Sequence, residues 1–207
     1  MQAINFAVLE SSSVREEPYP HLIVEGFIRP DAFETIACNF PELPGRGSHP
    51  VRELHLGNAM ASFMGELQGE RFEQIISHKF GVVLKGLPTL CTLRGETSAS
   101  DGQIHTDSRS KVVTVLIYMN TGWSVPEGRL RILRSPDNID DYAAEIAPAN
   151  GTLVAFRRSS RSWHGHQPFV GPRKVIQFNW VASDSSRLYQ RVRHQLSHAL
   201  KSWRKAG

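Results

Sequence analysis

His105 and Asp107 stand one residue apart in the stretch QIHTDSRSK, residues 103–111. In extended backbone, alternate side chains point the same way, so such a pair can face one ion. A neutral imidazole nitrogen beside a carboxylate oxygen suits Fe(II), Mn(II) or Zn(II). The pattern alone is weak, because aspartate is common in turns for reasons of its own. The adjoining run strengthens it. VVTVLIYM (112–119) is apolar on both faces, with Val112, Thr114, Leu116 and Tyr118 on one and Val113, Val115, Ile117 and Met119 on the other. A strand of that kind lies between packed layers. A polar pair leading into it is carried toward the interior, where it needs a partner.

Candidate partners lie in RSWHGHQPFVGPRKVIQFNW (161–180). His164 and His166 share one face, and either can complete a metal site. After Gly171-Pro172, the next strand opens on Arg173 and alternates. Arg173, Val175, Gln177 and Asn179 form one row, and Lys174, Ile176, Phe178 and Trp180 the other. The polar row reads either as a solvated face or as the lining of a barrel cavity. Arg173 at its start is suited to holding a carboxylate in bidentate fashion. Arg94 and Lys111 are further cations near these segments; each is expected in solvent, with reach to a substrate or cosubstrate as the second reading. His194 and His198 are spaced i, i+4, but no third ligand accompanies them, so exposed helix positions are expected there.

The elements that must position these residues come in two blocks. Up to Pro88 the chain reads as a strand at 19–27, a helix at 29–40, a loop at 42–50 and a helix at 59–79 broken near Gly69. Beyond it, short β-rich runs at 89–96, 111–120, 129–134, 152–157, 161–168 and 173–182 are separated by turn clusters. That pattern predicts a sandwich or barrel rather than βαβ units. The last segment is predicted to be an amphipathic helix with Leu188, Val192, Leu196, Ala199 and Trp203 in one stripe.

With 207 residues, 40% of them hydrophobic, the chain fits one domain with a sizeable core. The net charge of +4 is concentrated: Arg187, Arg191, Arg193, Lys201, Arg204 and Lys205 leave the rest of the chain at −2. A nucleic-acid protein would spread its cations over a recognition face, so no nucleic-acid partner is expected. No apolar stretch spans a bilayer and no signal peptide is read. Cys38 and Cys91 lack zinc spacing; reduced thiols and a cytoplasmic setting are expected, although one bridge stays open. No phosphate-binding glycine loop and no GxSxG elbow occurs.

The order HxD, distant His, then Arg nine residues on resembles the Fe(II)/2-oxoglutarate-dependent dioxygenases, nearest their prolyl-hydroxylase-type branch. Supporting stretches are IYMN, EGRLRIL, NGTLVAFRR, SWHGHQPFVGPR and the N-terminal PYPHLIVEGFIRPDAFETI. The resemblance implies a mainly β fold with flanking helices: a double-stranded β-helix, the cupin-like jelly-roll barrel. It implies one catalytic domain over 1–207, with helical support at 1–87, a barrel core at 88–182 and a C-terminal helix at 183–206. It implies His105, Asp107 and His164 as iron ligands, with His164 preferred over His166 by the spacing to Arg173. Arg173 and Tyr118 would hold the distal carboxylate of 2-oxoglutarate, and Leu130 would wall the cosubstrate. His166, Arg94, Lys111, Gln177 and Asn179 are left for supporting or substrate contacts, and the loops 95–104 and 121–127 for specificity. The implied cofactors are Fe(II) and 2-oxoglutarate, with ascorbate as a candidate reductant. The implied reaction consumes oxygen, converts 2-oxoglutarate to succinate and hydroxylates a small-molecule or peptidyl substrate. One departure is Glu127-Gly128 where many relatives have Gly-Gly. The alternatives are a cupin-like isomerase or sensor with no need of Arg173, and a non-catalytic barrel with a structural His/Asp cluster.

Overall fold

The computed structural model describes residues 2–182. The predicted C-terminal helix and the His194/His198 pair lie outside them. The chain begins with helix α1 (Phe6–Ser11), strand β1 (His21–Val24), helix α2 (Pro30–Cys38), strand β2 (His49–Pro50) and helices α3 (Asn58–Leu67) and α4 (Glu70–Phe80). Helix α2, within the predicted 29–40, opens on Pro30 with Asp31 in its first turn, where a proline and an acid are welcome. Gly69 divides α3 from α4 by capping the second helix, and Gly81 ends α4 in the left-handed conformation, φ 57°. Helix α1 has no periodic signal in the sequence. It is two turns long and rests on a cap from Asn5 Oδ1 to the Val8 amide.

Then come β3 (Thr89–Thr97), β4 (Lys111–Tyr118), β5 (Leu130–Leu133), β6 (Tyr142–Ile146), β7 (Leu153–Arg157), β8 (His164–Gly165) and β9 (Gly171–Val181). They form a six-stranded sheet in the order β1-β7-β4-β9-β3-β2 and a three-stranded sheet in the order β6-β5-β8. The pairings between named strands are antiparallel. From β4 onward the chain passes back and forth between the two sheets. Strand β6 is absent from the sequence-based expectation. In YAAEI only Ile146 is buried, so an edge strand leaves almost no alternation to read. Strand β8 is far shorter than the predicted 161–168, because only the residues beside β5 complete a ladder.

The large sheet divides two cores. Its outer face, including Val113, Val115, Ile117, Ile176, Phe178 and Trp180, packs against the helices. Its inner face contributes Leu116, Tyr118, Val154, Phe156 and Val175, which meet Leu130, Ile132 and Ile146 of the small sheet. The alternation read from 112–119 holds from Val113 onward, whereas Val112, at a register shift, packs with the outer core; that of 173–180 holds, and the polar row of β9 does face the interior. Cys38 and Cys91 are both unbridged. No helix among the described residues is long and apolar enough to cross a membrane.

Candidate active site

His105 and Asp107 do not belong to a strand ladder, contrary to the premise read from their spacing. They sit in an irregular segment, 98–110, pinned by one isolated bridge to β8. The His105 amide donates to the His164 carbonyl and the His164 amide to the His105 carbonyl, both at 3.0 Å. The His166 amide adds a bond to the Gly102 carbonyl at 2.8 Å. Glycine is required on both sides of this seam. A Cβ on Gly165 would stand 2.7 Å from the Gly102 carbonyl oxygen. Gly102 has φ +87°, and the His166 ring lies where its Cβ would be.

That seam brings His105, Asp107 and His164 together, with one ligand-capable atom from each lying within 4.8 Å of the others. The imidazole centroids are 4.3 Å apart. Each ring has the carbonyl two residues before it at Nδ1: Gln103 for His105 at 2.8 Å, and Ser162 for His164 at 2.9 Å. A carbonyl only accepts, so each Nδ1 carries the proton and each Nε2 keeps a lone pair for a metal. Burial pushes His164 down to about 4 against the opposing pull of Asp107, so it is neutral at physiological pH. Burial alone would raise Asp107, yet Lys111, His164 and Thr114 hold it well below the usual carboxylate range. Lys111 Nζ is 2.8 Å from Asp107 Oδ1, and Thr114 Oγ1 donates to Oδ2. Lys111 is therefore engaged at the site, not in solvent as expected. Two histidines that can each offer Nε2 and an ionised carboxylate, together on one side of a point, match the donor set of a facial Fe(II) site.

Beside the triad is a cavity of about 100 Å³ lined by Arg94, Leu116, Tyr118, Leu130, Arg173, Gln177 and the metal-capable residues. A recess of about 530 Å³ between Ile23 and Ala147 contains none of them. In the small cavity, Arg173 is anchored by Nε to the Gly128 carbonyl at 2.7 Å, and its guanidinium lies 5.3 Å from the centre of the Tyr118 ring. Arg173 Nη2, Tyr118 Oη and Arg94 Nε are all buried without a hydrogen bond of acceptable geometry. Orphaned donors are costly in a folded interior. All three residues line one cavity, and a carboxylate is the kind of group that would satisfy such donors. Gly128, the position of the Glu-Gly departure, still supplies its carbonyl to Arg173. Leu130, Leu116 and Val175 give the cavity its apolar wall.

His166 lines the cavity but stands outside the triad; burial and the nearby Arg173 charge lower it to about 4. Arg94 reaches over the cavity to Asp101, 3.1 Å away, so it too is not simply solvated. Gln177 lines the cavity and accepts from Thr92 Oγ1 at 3.4 Å. Asn179 is buried opposite Thr114 and is not part of the lining. Loop 98–104 touches the site through Asp101 and Gly102. In loop 121–127, Trp123 packs on Phe169 at 4.7 Å, outside the cavity lining.

Sequence reasoning misses Thr114 as a support for Asp107, because it occupies an apolar row. It also misses Arg158, whose Nε donates to the Asp107 carbonyl at 3.2 Å, and Tyr19, whose Oη donates to the Trp163 carbonyl at 2.9 Å. Nothing local in the sequence marks either contact, since both join segments far apart in the chain.

Residues 96–182 match the family model described as the 2OG-Fe(II) oxygenase superfamily. A search of curated proteins finds no match. Among solved structures, a Pseudomonas putida prolyl-4-hydroxylase is similar at 17% identity and TM-score 0.59, covering 86% of this chain and 98% of that one. A Trichoplax adhaerens prolyl hydroxylase, solved with a hypoxia inducible factor peptide fragment, is similar at 17% identity and TM-score 0.53, covering 78% and 83%. HygX from Streptomyces hygroscopicus, solved with nickel and 2-oxoglutarate, is similar at 12% identity and TM-score 0.56, covering 79% and 82%. These likenesses give the two-sheet architecture its name, the double-stranded β-helix. The segment that carries the triad and Arg173 thus matches the 2OG-Fe(II) oxygenase superfamily, and this match and the structural likenesses together indicate a 2-oxoglutarate-dependent oxygenase.

Proposed function

We propose that His105, Asp107 and His164 hold Fe(II), that Arg173 and Tyr118 hold the distal carboxylate of 2-oxoglutarate, and that the enzyme hydroxylates its substrate. The observation that carries this reading is the junction of a three-donor cluster with a cavity where Arg173 Nη2 and Tyr118 Oη are buried without a hydrogen bond of acceptable geometry. When bound, Fe(II) and 2-oxoglutarate together supply oxidation of an unactivated C–H bond by molecular oxygen, with succinate and carbon dioxide as coproducts. The chain's own residues do the positioning. The Gln103 and Ser162 carbonyls fix both imidazole tautomers. Thr114 and Lys111 hold the Asp107 carboxylate in place. Gly128 orients Arg173, and Leu130, Leu116 and Val175 keep water from the cosubstrate. His105 is exposed while His164 is buried, so the substrate reaches the metal from the His105 side.

On this reading His166 supports the pocket and is not a ligand. Residues 88–182 are the catalytic core, and the helices of 1–87 buttress its outer face. Two free thiols suit a reducing compartment, which favours the cytoplasm. The test is anaerobic titration of the Fe(II)-loaded protein with 2-oxoglutarate. A metal-to-ligand charge-transfer band is expected. Metal retention without that band would instead favour a cupin-like metal binder.

A further inference from the structure

Two turns flank the metal-capable residues, and their charge is unlike the rest of the body. The first, Ser108–Lys111, comes directly after Asp107 and is closed by the Lys111 amide to the Ser108 carbonyl at 3.0 Å. The second, Ser159–Ser162, precedes His164 and is held by Ser162 Oγ to the Ser159 carbonyl at 2.9 Å. The Arg158 amide donates to the Val112 carbonyl at 3.0 Å, which ties the two segments side by side. Arg109 is exposed in the first turn and Arg161 in the second. Arg158 stands between, its Nε on the Asp107 carbonyl.

Eight of the fourteen described arginines form ion pairs with carboxylates. Among the described residues, the other six form none: Arg15, Arg173 in the cavity, and Arg109, Arg157, Arg158 and Arg161 on these neighbouring segments. Across 105–113 and 157–166 the one acid is Asp107, already matched by Lys111. The chain without its basic tail nevertheless carries a net −2. Unpaired guanidiniums on adjoining segments of an acidic body suit an anion that visits them. Guanidinium and serine hydroxyl groups are donors suited to carboxylate and phosphate oxygens.

We infer that the substrate is an anion, bearing a carboxylate or phosphate group near the oxidised carbon, and that Arg109, Arg158 and Arg161 form the collar that receives it beside the metal. This rests on the reading of His105, Asp107 and His164 as iron ligands. Two sources share the chemistry, a free small molecule and an acidic peptide segment.

The probe is pyrenetetrasulfonate, added anaerobically to enzyme loaded with Fe(II) and 2-oxoglutarate, with fluorescence anisotropy as the readout. The charge-transfer band checks loading separately. No band overturns the iron reading itself, whereas a band without anion binding overturns only the collar. Saturable binding is expected, weakened about tenfold in the double variant Arg109→Gln/Arg161→Gln and unchanged in Arg52→Gln. The affinity should also fall steeply with salt. Loss of binding on changing Lys201, Arg204 and Lys205 to Gln, with none in the collar variant, would assign the anion to the tail and overturn the collar. In a second arm, 2-oxoglutarate turnover is compared for phosphoserine against serine, aspartate against asparagine, and an acidic peptide against its amide form. Stimulation by the anionic members supports the inference, and the member that responds identifies the source. Equal or greater stimulation by the neutral members overturns it.

Discussion

Replacing Lys111 with methionine separates two jobs that its ammonium group performs on Asp107. In the metal-free protein, Lys111 Nζ lies 2.8 Å from Oδ1, with the two side chains only 13% and 10% exposed. Removing one partner of a pair this buried leaves a carboxylate without its counter-ion, at a cost of about 3–5 kcal/mol. Thr114 still donates to Oδ2, so the lower figure of about 3 kcal/mol applies. A divalent metal at the triad changes the sign of the argument. The metal then compensates Asp107, and the lysine becomes a like charge within a few ångströms of it. Methionine keeps most of the packing, so the loaded protein should lose roughly 1 kcal/mol or less. Metal binding must recover the difference of about 2 kcal/mol, which tightens metal affinity roughly 30-fold. Thermal melts with and without Zn(II), a redox-inert stand-in, make the comparison. The metal-free midpoint should fall by roughly 6–12 °C and the loaded one by roughly 2–4 °C or less. Equal falls in the two states, or weaker zinc binding in the variant, would refute the claim that lysine and metal share one carboxylate.

The same geometry sets other outcomes. Arg173→Met removes the charge-assisted contacts to the cosubstrate's distal carboxylate, at about 1.5–3 kcal/mol each. The 2-oxoglutarate dissociation constant, read from the charge-transfer band, should rise roughly 100-fold or more while Fe(II) affinity holds; an unchanged constant would remove Arg173 from the cosubstrate site. His164→Ala should abolish iron retention and His166→Ala should keep it, measured by metal analysis after desalting. The reverse result would exchange their roles. For pH, His164 and His166 both titrate near 4 in the folded state, below the ordinary 6.5. The unfolded chain therefore binds more protons in that interval, and stability is full above about pH 6.5 and lost as pH falls toward about 4. At 1.36 kcal/mol per unit, the two together should cost the metal-free protein roughly 4 kcal/mol between about pH 7.5 and 5. The depressed Asp107 adds its own loss only at lower pH. Denaturant midpoints that stay flat across the window would contradict the burial argument.

The legible parts of this fold are those with strong periodicity or punctuation. Strand β4 announces itself because it is apolar on both faces, and β9 because Arg173, Val175 and Gln177 alternate with Lys174, Ile176 and Phe178. Gly69 marks the helix break because a cap there needs no side chain. Helix α1 and strand β6 leave little trace, since a two-turn helix and an exposed edge strand bury too few residues to make a pattern. The expected solvation of Arg94 and Lys111 fails for another reason. Each meets its partner, Asp101 and Asp107, through a loop, and pairing through a loop has no fixed sequence spacing.

The HxD pair does join His164 in one cluster, but not by the route its spacing suggests. Strand alternation would aim His105 and Asp107 the same way, yet neither lies in a strand ladder. What aligns them is the seam with β8: reciprocal bonds between residues 105 and 164, with Gly102 and Gly165 letting the two backbones approach. The consequence is mechanical. Two of the three metal-capable residues face each other across a single pair of hydrogen bonds, and the third hangs from the same irregular segment, steadied by Lys111, Thr114 and Arg158. A seam this short gains little from cooperative ladder pairing, so its order depends on those side chains. The donors are nevertheless preset in tautomer and charge: Nδ1 of each histidine is committed to a backbone carbonyl, and Asp107 is ionised. The chain therefore fixes the chemistry of these donors more firmly than their positions, and a metal, on the proposed reading, would supply the remaining constraint.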